Sequence, residues 1–263
     1  MRELQKRYQR GRIPFTACQA DPRFSYCLYV PSCHLEQRQA EAPLLVVVHG
    51  SGRTAEGFRD AFIEFAEEHG CVVLAPLFPR GAVSADEPDG YKLQPPLGYR
   101  YDQVLLSIIE EVAAEYRTAR EFYLYGFSGG AQFAHRFAYL HPGRLKAVSI
   151  HAPGQICLPH NIGPFFDVSN MEMLRNVRVH MAVGCEDTHS IQPEMPDNQG
   201  RSRRTLLLEL CEAWEQQGIG VELDEVPGIA HDGFALLPAG QRFFARLLLP
   251  DGSGEQYQAN ADY

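Results

Sequence analysis

The stretch that most constrains this chain runs from Glu121 to Leu140. Glu121 to Tyr125 is a short aromatic and apolar run with the character of a β-strand, and Gly126-Phe127-Ser128-Gly129-Gly130 fits the pattern Gly-x-Ser-x-Gly. In Ala131 to Leu140, Phe133, Phe137 and Leu140 recur at helical spacing. Strand, tight turn and helix impose a steric demand. The turn holds its serine in a strained backbone conformation, so the flanking positions must be small for strand and helix to approach each other. The Ser128 Oγ then projects above the sheet, and the next N–H sits at a helix N-terminus, where an anion is stabilised. The competing reading is a glycine-rich turn with a purely structural role.

The remaining pattern alternates strands with helices. Phe24 to Val30 alternates in strand fashion and predicts an early edge strand, closed by Pro31. Leu44 to Val48 is a continuous apolar run, as expected of a strand covered on both faces. Further strands are expected at Cys71 to Leu77, Leu145 to His151, Val177 to Val183 and Gly220 to Val226. Helices are expected at Gly57 to His69, Tyr101 to Tyr116, Thr205 to Gln217 and Phe234 to Leu249. This pattern predicts an α/β fold, a mostly parallel central sheet with helices on both faces and no large cap domain. It divides the chain into an N-terminal arm (1–23), one folded domain (24–250) and a loose C-terminal tail (251–263). Two irregular stretches, Phe78 to Arg100 and Pro153 to Arg175, each follow a strand and read as functional loops.

Bulk properties exclude several classes. At 263 residues and 45% hydrophobic, the chain can bury one large core. A formal net charge of −9 argues against a nucleic-acid partner, and the basic start (Arg2, Lys6, Arg7, Arg10, Arg12) reads as a solvated arm. No apolar run approaches the roughly 20 residues of a membrane helix, and no apolar stretch follows the basic start as in a secretory signal. Seven cysteines are an odd number in a chain too large to need disulfide staples; with Cys71 and Cys185 at strands, they point to a reducing cytoplasm. Nothing in the pattern fixes an oligomeric state.

A serine hydroxyl is protonated at neutral pH, so Ser128 needs a base within hydrogen-bond reach and the base needs an orienting carboxylate. In open α/β sheets such groups lie beyond the C-terminal ends of strands. Asp187 and His231 each follow a predicted strand by a few residues, with Glu186 the rival acid. Among ten histidines, His151 and His189 also sit at strand ends and compete with His231. His69, His135 and His141 read as surface residues on helices, His180 lies inside a strand, and His49 reads as a support for the loop it opens. Attack on an acyl carbon develops an oxyanion that preorganised N–H donors must meet. Gly129 is one candidate donor, and Ser51 or Gly52 of His49-Gly50-Ser51-Gly52 is the other. Tyr91, Phe127, Phe165, Phe166 and Phe234 are candidates for an aromatic substrate wall, and Arg53 and His151 for contacts to a polar or anionic acyl group.

With these residues in view, the chain resembles the α/β-hydrolase serine esterases from about Phe24 to Leu249. His49-Gly50-Ser51-Gly52 resembles that superfamily's oxyanion loop, Gly126 to Gly130 its nucleophile elbow, Asp187 its acid and His231 its histidine. Within the superfamily it is most similar to small enzymes without a cap, of the polyhydroxybutyrate-depolymerase, feruloyl-esterase and dienelactone-hydrolase kinds. Dienelactone hydrolases proper carry a cysteine nucleophile, so their thiolate chemistry is not implied by Ser128. The resemblance implies a carboxylic-ester hydrolase of small or medium soluble substrates, working through an acyl-enzyme without metal or organic cofactor. A peptidase or thioesterase with the same triad, and a non-catalytic binding protein on the same scaffold, are the alternatives.

Overall fold

The computed structural model describes residues 10–35, 41–86, 89–93, 99–161, 168–191 and 200–248. The basic residues before Arg10, the Phe165-Phe166 pair, the tail from 251 and parts of both irregular stretches lie outside them. The strands are β1 (Gly11–Ala17), β2 (Ser25–Val30), β3 (Leu44–Val48), β4 (Val72–Leu77), β5 (Phe122–Phe127), β6 (Leu145–His151), β7 (Arg178–Gly184) and β8 (Val221–Val226). The helices are α1 (Ala55–Ala61), α2 (Ile63–His69), α3 (Tyr101–Tyr116), α4 (Gly129–Leu140), α5 (Val168–Leu174), α6 (Arg203–Gln216) and α7 (Gly233–Leu248). The strands form one sheet in the order β1-β2-β4-β3-β5-β6-β7-β8. β2 is antiparallel to both β1 and β4, and every pairing from β4 through β8 is parallel.

All five residues of β3 are completely buried, the physical counterpart of an apolar run without alternation. Val46 and Val48 face a core shared with α3, α4 and α6, whereas Leu45 and Val47 face a second core built with α1, α2 and α7. The sheet is therefore covered on both sides, as the strand–helix alternation predicts.

Three local expectations are corrected. Residues 11–17, expected in the N-terminal arm, form the edge strand β1, so β2 is interior rather than the edge. Pro14, a register shift between Ile13 and Thr16 and a mostly exposed side-chain pattern mark β1 as an edge strand and erase the alternation that would have revealed it. The helix expected from Gly57 to His69 is two helices, interrupted at Phe62. The second irregular stretch contains α5, and the first contains a 3-10 turn at Gly90–Leu93.

Candidate active site

The site begins with the end of β5. β5 lies between β3 and β6, with Gly126 opposite Val48 and Phe127 opposite His151. At Ser128 the chain turns sharply, with φ 53° and ψ −109°, a left-handed conformation that an L-residue adopts only when its surroundings enforce it. The enforcement is visible on both sides. Ser128 N–H donates to the His151 carbonyl at 2.8 Å, and Gln132 N–H donates to the Ser128 carbonyl at 3.0 Å, opening α4. A Cβ on Gly126 would overlap the Gly130 carbonyl, and one on Gly130 would overlap the Val48 carbonyl. Gly129 opens α4, so its N–H is among the four that a helix leaves without an intrahelical acceptor.

Two further loops converge on Ser128. Beyond β7, Asp187 N–H donates to the Gly184 carbonyl at 3.0 Å, which turns the Asp187 side chain inward to 2% exposure. Beyond β8, the chain from Pro227 to Ala230 carries His231. The two loops are laced by Cys185 N–H to the Val226 carbonyl and Glu186 N–H to the Ile229 carbonyl, both at 2.9 Å. His231 Nδ1 lies 2.7 Å from Asp187 Oδ2, and its Nε2 lies 3.1 Å from Ser128 Oγ. With the ring proton on Nδ1 donated to the carboxylate, Nε2 is left to accept from the serine hydroxyl. The Phe127 ring stacks on the imidazole with centroids 4.7 Å apart at 28°. Burial pushes the Asp187 carboxyl upward, but the bond to His231, the charge interaction with it and the nearby Arg203 outweigh that penalty and hold it below the ordinary value.

A cavity of about 380 Å³ opens over these groups. Gly50, Ser51 and Gly52 line it on one side, and Phe58, Phe127 and Phe234 supply aromatic surface; Phe58 and Phe234 stack at 4.9 Å. Ser128, His231, Thr54, Gly233 and Arg203 complete the lining. Gly233 must be a glycine, since a Cβ would lie 2.6 Å from the Phe127 ring.

Of the residues singled out in the sequence, the structure brings together Ser128, His231, Asp187, Gly129, Ser51, Gly52, Phe127 and Phe234. Three proposed substrate contacts lie elsewhere. The Arg53 guanidinium donates to the Ser51 carbonyl at 2.7 Å and pairs with Asp89 at 2.7 Å, over the Tyr91 ring. Tyr91 is buried and donates its hydroxyl to the His49 carbonyl at 3.2 Å. Both therefore brace the 49–52 loop from behind rather than face the cavity. His151 is fully buried, its Nε2 2.8 Å from Ser149 Oγ, and burial holds it neutral; its service to the elbow is through its backbone carbonyl.

Glu186, the rival acid, is exposed, as is His189. His49 is a support: Nδ1 donates to the Gly50 carbonyl at 2.7 Å, Nε2 accepts from Phe78 N–H at 3.1 Å, and burial lowers its pKa to about 4. His135 and His141, expected at the surface, are not free there. His135 is completely buried, and His141 Nε2 lies 2.7 Å from buried Asp102. Arg203, Thr54 and Phe58 were not singled out. The signal for Arg203 is the run Arg201-Ser202-Arg203-Arg204 at the start of a helix, where the macrodipole disfavours cations.

No family model matches the chain, and no curated protein matches it. Solved structures do. A poly(aspartic acid) hydrolase-1 from Sphingomonas sp. KT-1 superposes with a TM-score of 0.72 at 21% identity, covering 89% of this chain and 98% of its own. LpqC, a poly(3-hydroxybutyrate) depolymerase from Bordetella parapertussis, gives 0.67 at 25% identity, covering 88% and 86%. An S-formylglutathione hydrolase from Agrobacterium tumefaciens gives 0.60 at 17% identity, covering 86% and 88%. The chain has the α/β-hydrolase fold, and the structures it resembles include esterases and related hydrolases.

Proposed function

We propose that this α/β-hydrolase is a serine hydrolase that cleaves carboxylic esters, with Ser128 as nucleophile, His231 as general base and acid, and Asp187 as the orienting carboxylate. The observation that carries this reading is the continuous hydrogen-bonded path from Asp187 Oδ2 through His231 to Ser128 Oγ, at 2.7 and 3.1 Å, ending on a serine held at φ 53°. A strained serine is costly unless function uses it, and here the strain aims Oγ at the base and into a cavity.

In this mechanism Ser128 Oγ attacks the acyl carbon while its proton passes to His231 Nε2. The carbonyl oxygen becomes an oxyanion met by the Gly129 N–H and by an N–H of Ser51 or Gly52. The carbon–oxygen bond to the alcohol then breaks, and the leaving oxygen takes the proton from Nε2. Water repeats the sequence on the acyl-enzyme, giving its proton to Nε2, and the acid leaves as Ser128 is reprotonated. Asp187, ionised and 2% exposed, stabilises the imidazolium that forms twice per turnover. A cavity of about 380 Å³, largely aromatic on one wall, fits a small or medium acyl group. The structural neighbours, which include a poly(3-hydroxybutyrate) depolymerase, a thermostable esterase and a ferulic acid esterase, support the same reading. The seven cysteines, all free thiols, support a reducing compartment such as the cytoplasm.

The test is a pre-steady-state assay with 4-nitrophenyl esters and parallel thioester and peptide substrates. A burst of one 4-nitrophenolate per enzyme, with the acyl mass mapped to Ser128, is the expected result. Turnover of peptides or thioesters with inert oxygen esters would redirect the assignment.

A further inference from the structure

The cavity's lining holds one permanently charged side chain among the described residues, that of Arg203. Its placement is a poor choice for stability. Arg203 is the first residue of α6, where a cation opposes the helix macrodipole. The side chain is only 23% exposed, its Nη1 makes a long 3.3 Å bond to Asp187 Oδ1, and its buried Nε has no hydrogen-bond partner among the described residues. A buried N–H without an acceptor is destabilising, because its bond to water is lost and not replaced. The neighbouring arginines have carboxylates outside the site: Arg201 pairs with Glu209, and Arg204, whose Nε is likewise without a partner among the described residues, with Glu225 at 2.6 Å. The other Asp187 oxygen already accepts from His231 at 2.7 Å, so the carboxylate has a hydrogen-bond partner apart from Arg203.

We propose that Arg203 is a specificity-determining residue, an anion-recognising group that selects esters carrying a carboxylate near the scissile bond. This rests on the ester-hydrolase reading above and adds the substrate class. A guanidinium keeps its charge at all working pH values and presents five donors in a planar fork, of which the structure commits one to Asp187. The apolar surface of Phe58, Phe127 and Phe234 in the same cavity lowers the local dielectric, which strengthens a charge-assisted hydrogen bond from Arg203. The bland alternative is that Arg203 only steadies Asp187. The two differ in one measurable respect: loss of a steadying contact slows every ester alike, whereas loss of an anion site slows charged esters more.

The experiment compares kcat/KM for matched pairs. One pair carries the charge on the acyl side (4-nitrophenyl hydrogen glutarate against 4-nitrophenyl pentanoate), the other on the alcohol side (4-acetoxybenzoate against its methyl ester). The wild-type protein is expected to prefer the charged member of at least one pair by tenfold or more. Arg203→Gln is expected to reduce that ratio at least tenfold, mainly through KM, and Arg203→Lys to retain part of it. A ratio unchanged in Arg203→Gln overturns the proposal, and so does a wild-type protein without preference in either pair, which requires no variant. Failure of the hydrolase reading looks different, since then no member of either pair is turned over.

Discussion

Gly184 meets the Ile229 carbonyl so closely that a Cβ at Gly184 would occupy the same space as that oxygen. This contact seats the last residue of β7 against the loop that carries His231, and the backbone bonds from Cys185 and Glu186 hold the two loops in register. The separation of Asp187 from His231 is therefore set by backbone packing, and the side chains only complete it. Gly184→Ala is expected to push the loops apart, destabilise the fold by about 1–3 kcal/mol and lower ester turnover more than the stability loss explains. Urea unfolding and kcat measured on the same preparation check this. Normal turnover in a folded Gly184→Ala protein would show that the loops do not need this contact.

The inward turn at Asp187 decides between neighbouring carboxylates. Asp187→Asn is expected to lower kcat by about 10²–10⁴-fold, because the amide can favour the wrong imidazole tautomer. Glu186→Gln, at an exposed position, is expected to stay within about threefold of the wild type. The reverse ranking in steady-state kinetics would move the acid role to Glu186.

Four buried histidines predict an acid-sensitive fold. Burial depresses the pKa of His49 to about 4 and that of His135, His151 and His180 below the ordinary value of 6.5. Each is neutral in the fold and protonated in the unfolded chain once the pH drops below about 6.5. The unfolded state then binds more protons, so stability is full above that pH and falls as pH is lowered through the folded pKa. The slope is about 1.4 kcal/mol per pH unit for each such histidine. The depressed carboxyls of Asp102 and Asp187 have the same sign but act only below about pH 4. Urea midpoints should therefore drop between pH 7 and pH 5, before any carboxylate is involved. Flat midpoints across that range would contradict the neutral assignments.

Phe127 stacks on His231 and sits against Gly233, which adds a ring contact to the Asp187 hydrogen bond in orienting the imidazole. Phe127→Ala is expected to lower kcat about tenfold or more by loosening His231, with a smaller effect on KM than on kcat. A change confined to KM would make Phe127 a substrate contact and nothing more.

The parts of this molecule that were legible in the sequence are those governed by short-range rules. Continuous apolar runs such as Leu44–Val48 gave interior strands of the parallel part of the sheet, helical spacing gave Tyr101–Tyr116 to the residue, and small residues around Ser128 gave the turn because only glycine fits at 126 and 130. Following strands to their C-terminal ends also led to Asp187 and His231. What stayed hidden depends on distant partners. β1 is an edge strand whose Pro14 and bulge remove the alternation, and its place is defined only by β2. Arg53 and Tyr91 look like cavity residues from their neighbours in sequence, but Asp89 and the His49 carbonyl draw them behind the loop. Arg203 lies 75 residues from Ser128 in sequence (203 − 128), and only the fold brings both to one cavity.

The central claim is that Ser128 is activated by His231. It is tested most directly by labelling the protein with a fluorophosphonate and mapping the modified residue by mass spectrometry, in the wild type and in His231→Ala. A single adduct on Ser128 that is lost in His231→Ala is the predicted result. A folded wild-type protein that gives no adduct on Ser128, or an adduct formed equally well without His231, would contradict it.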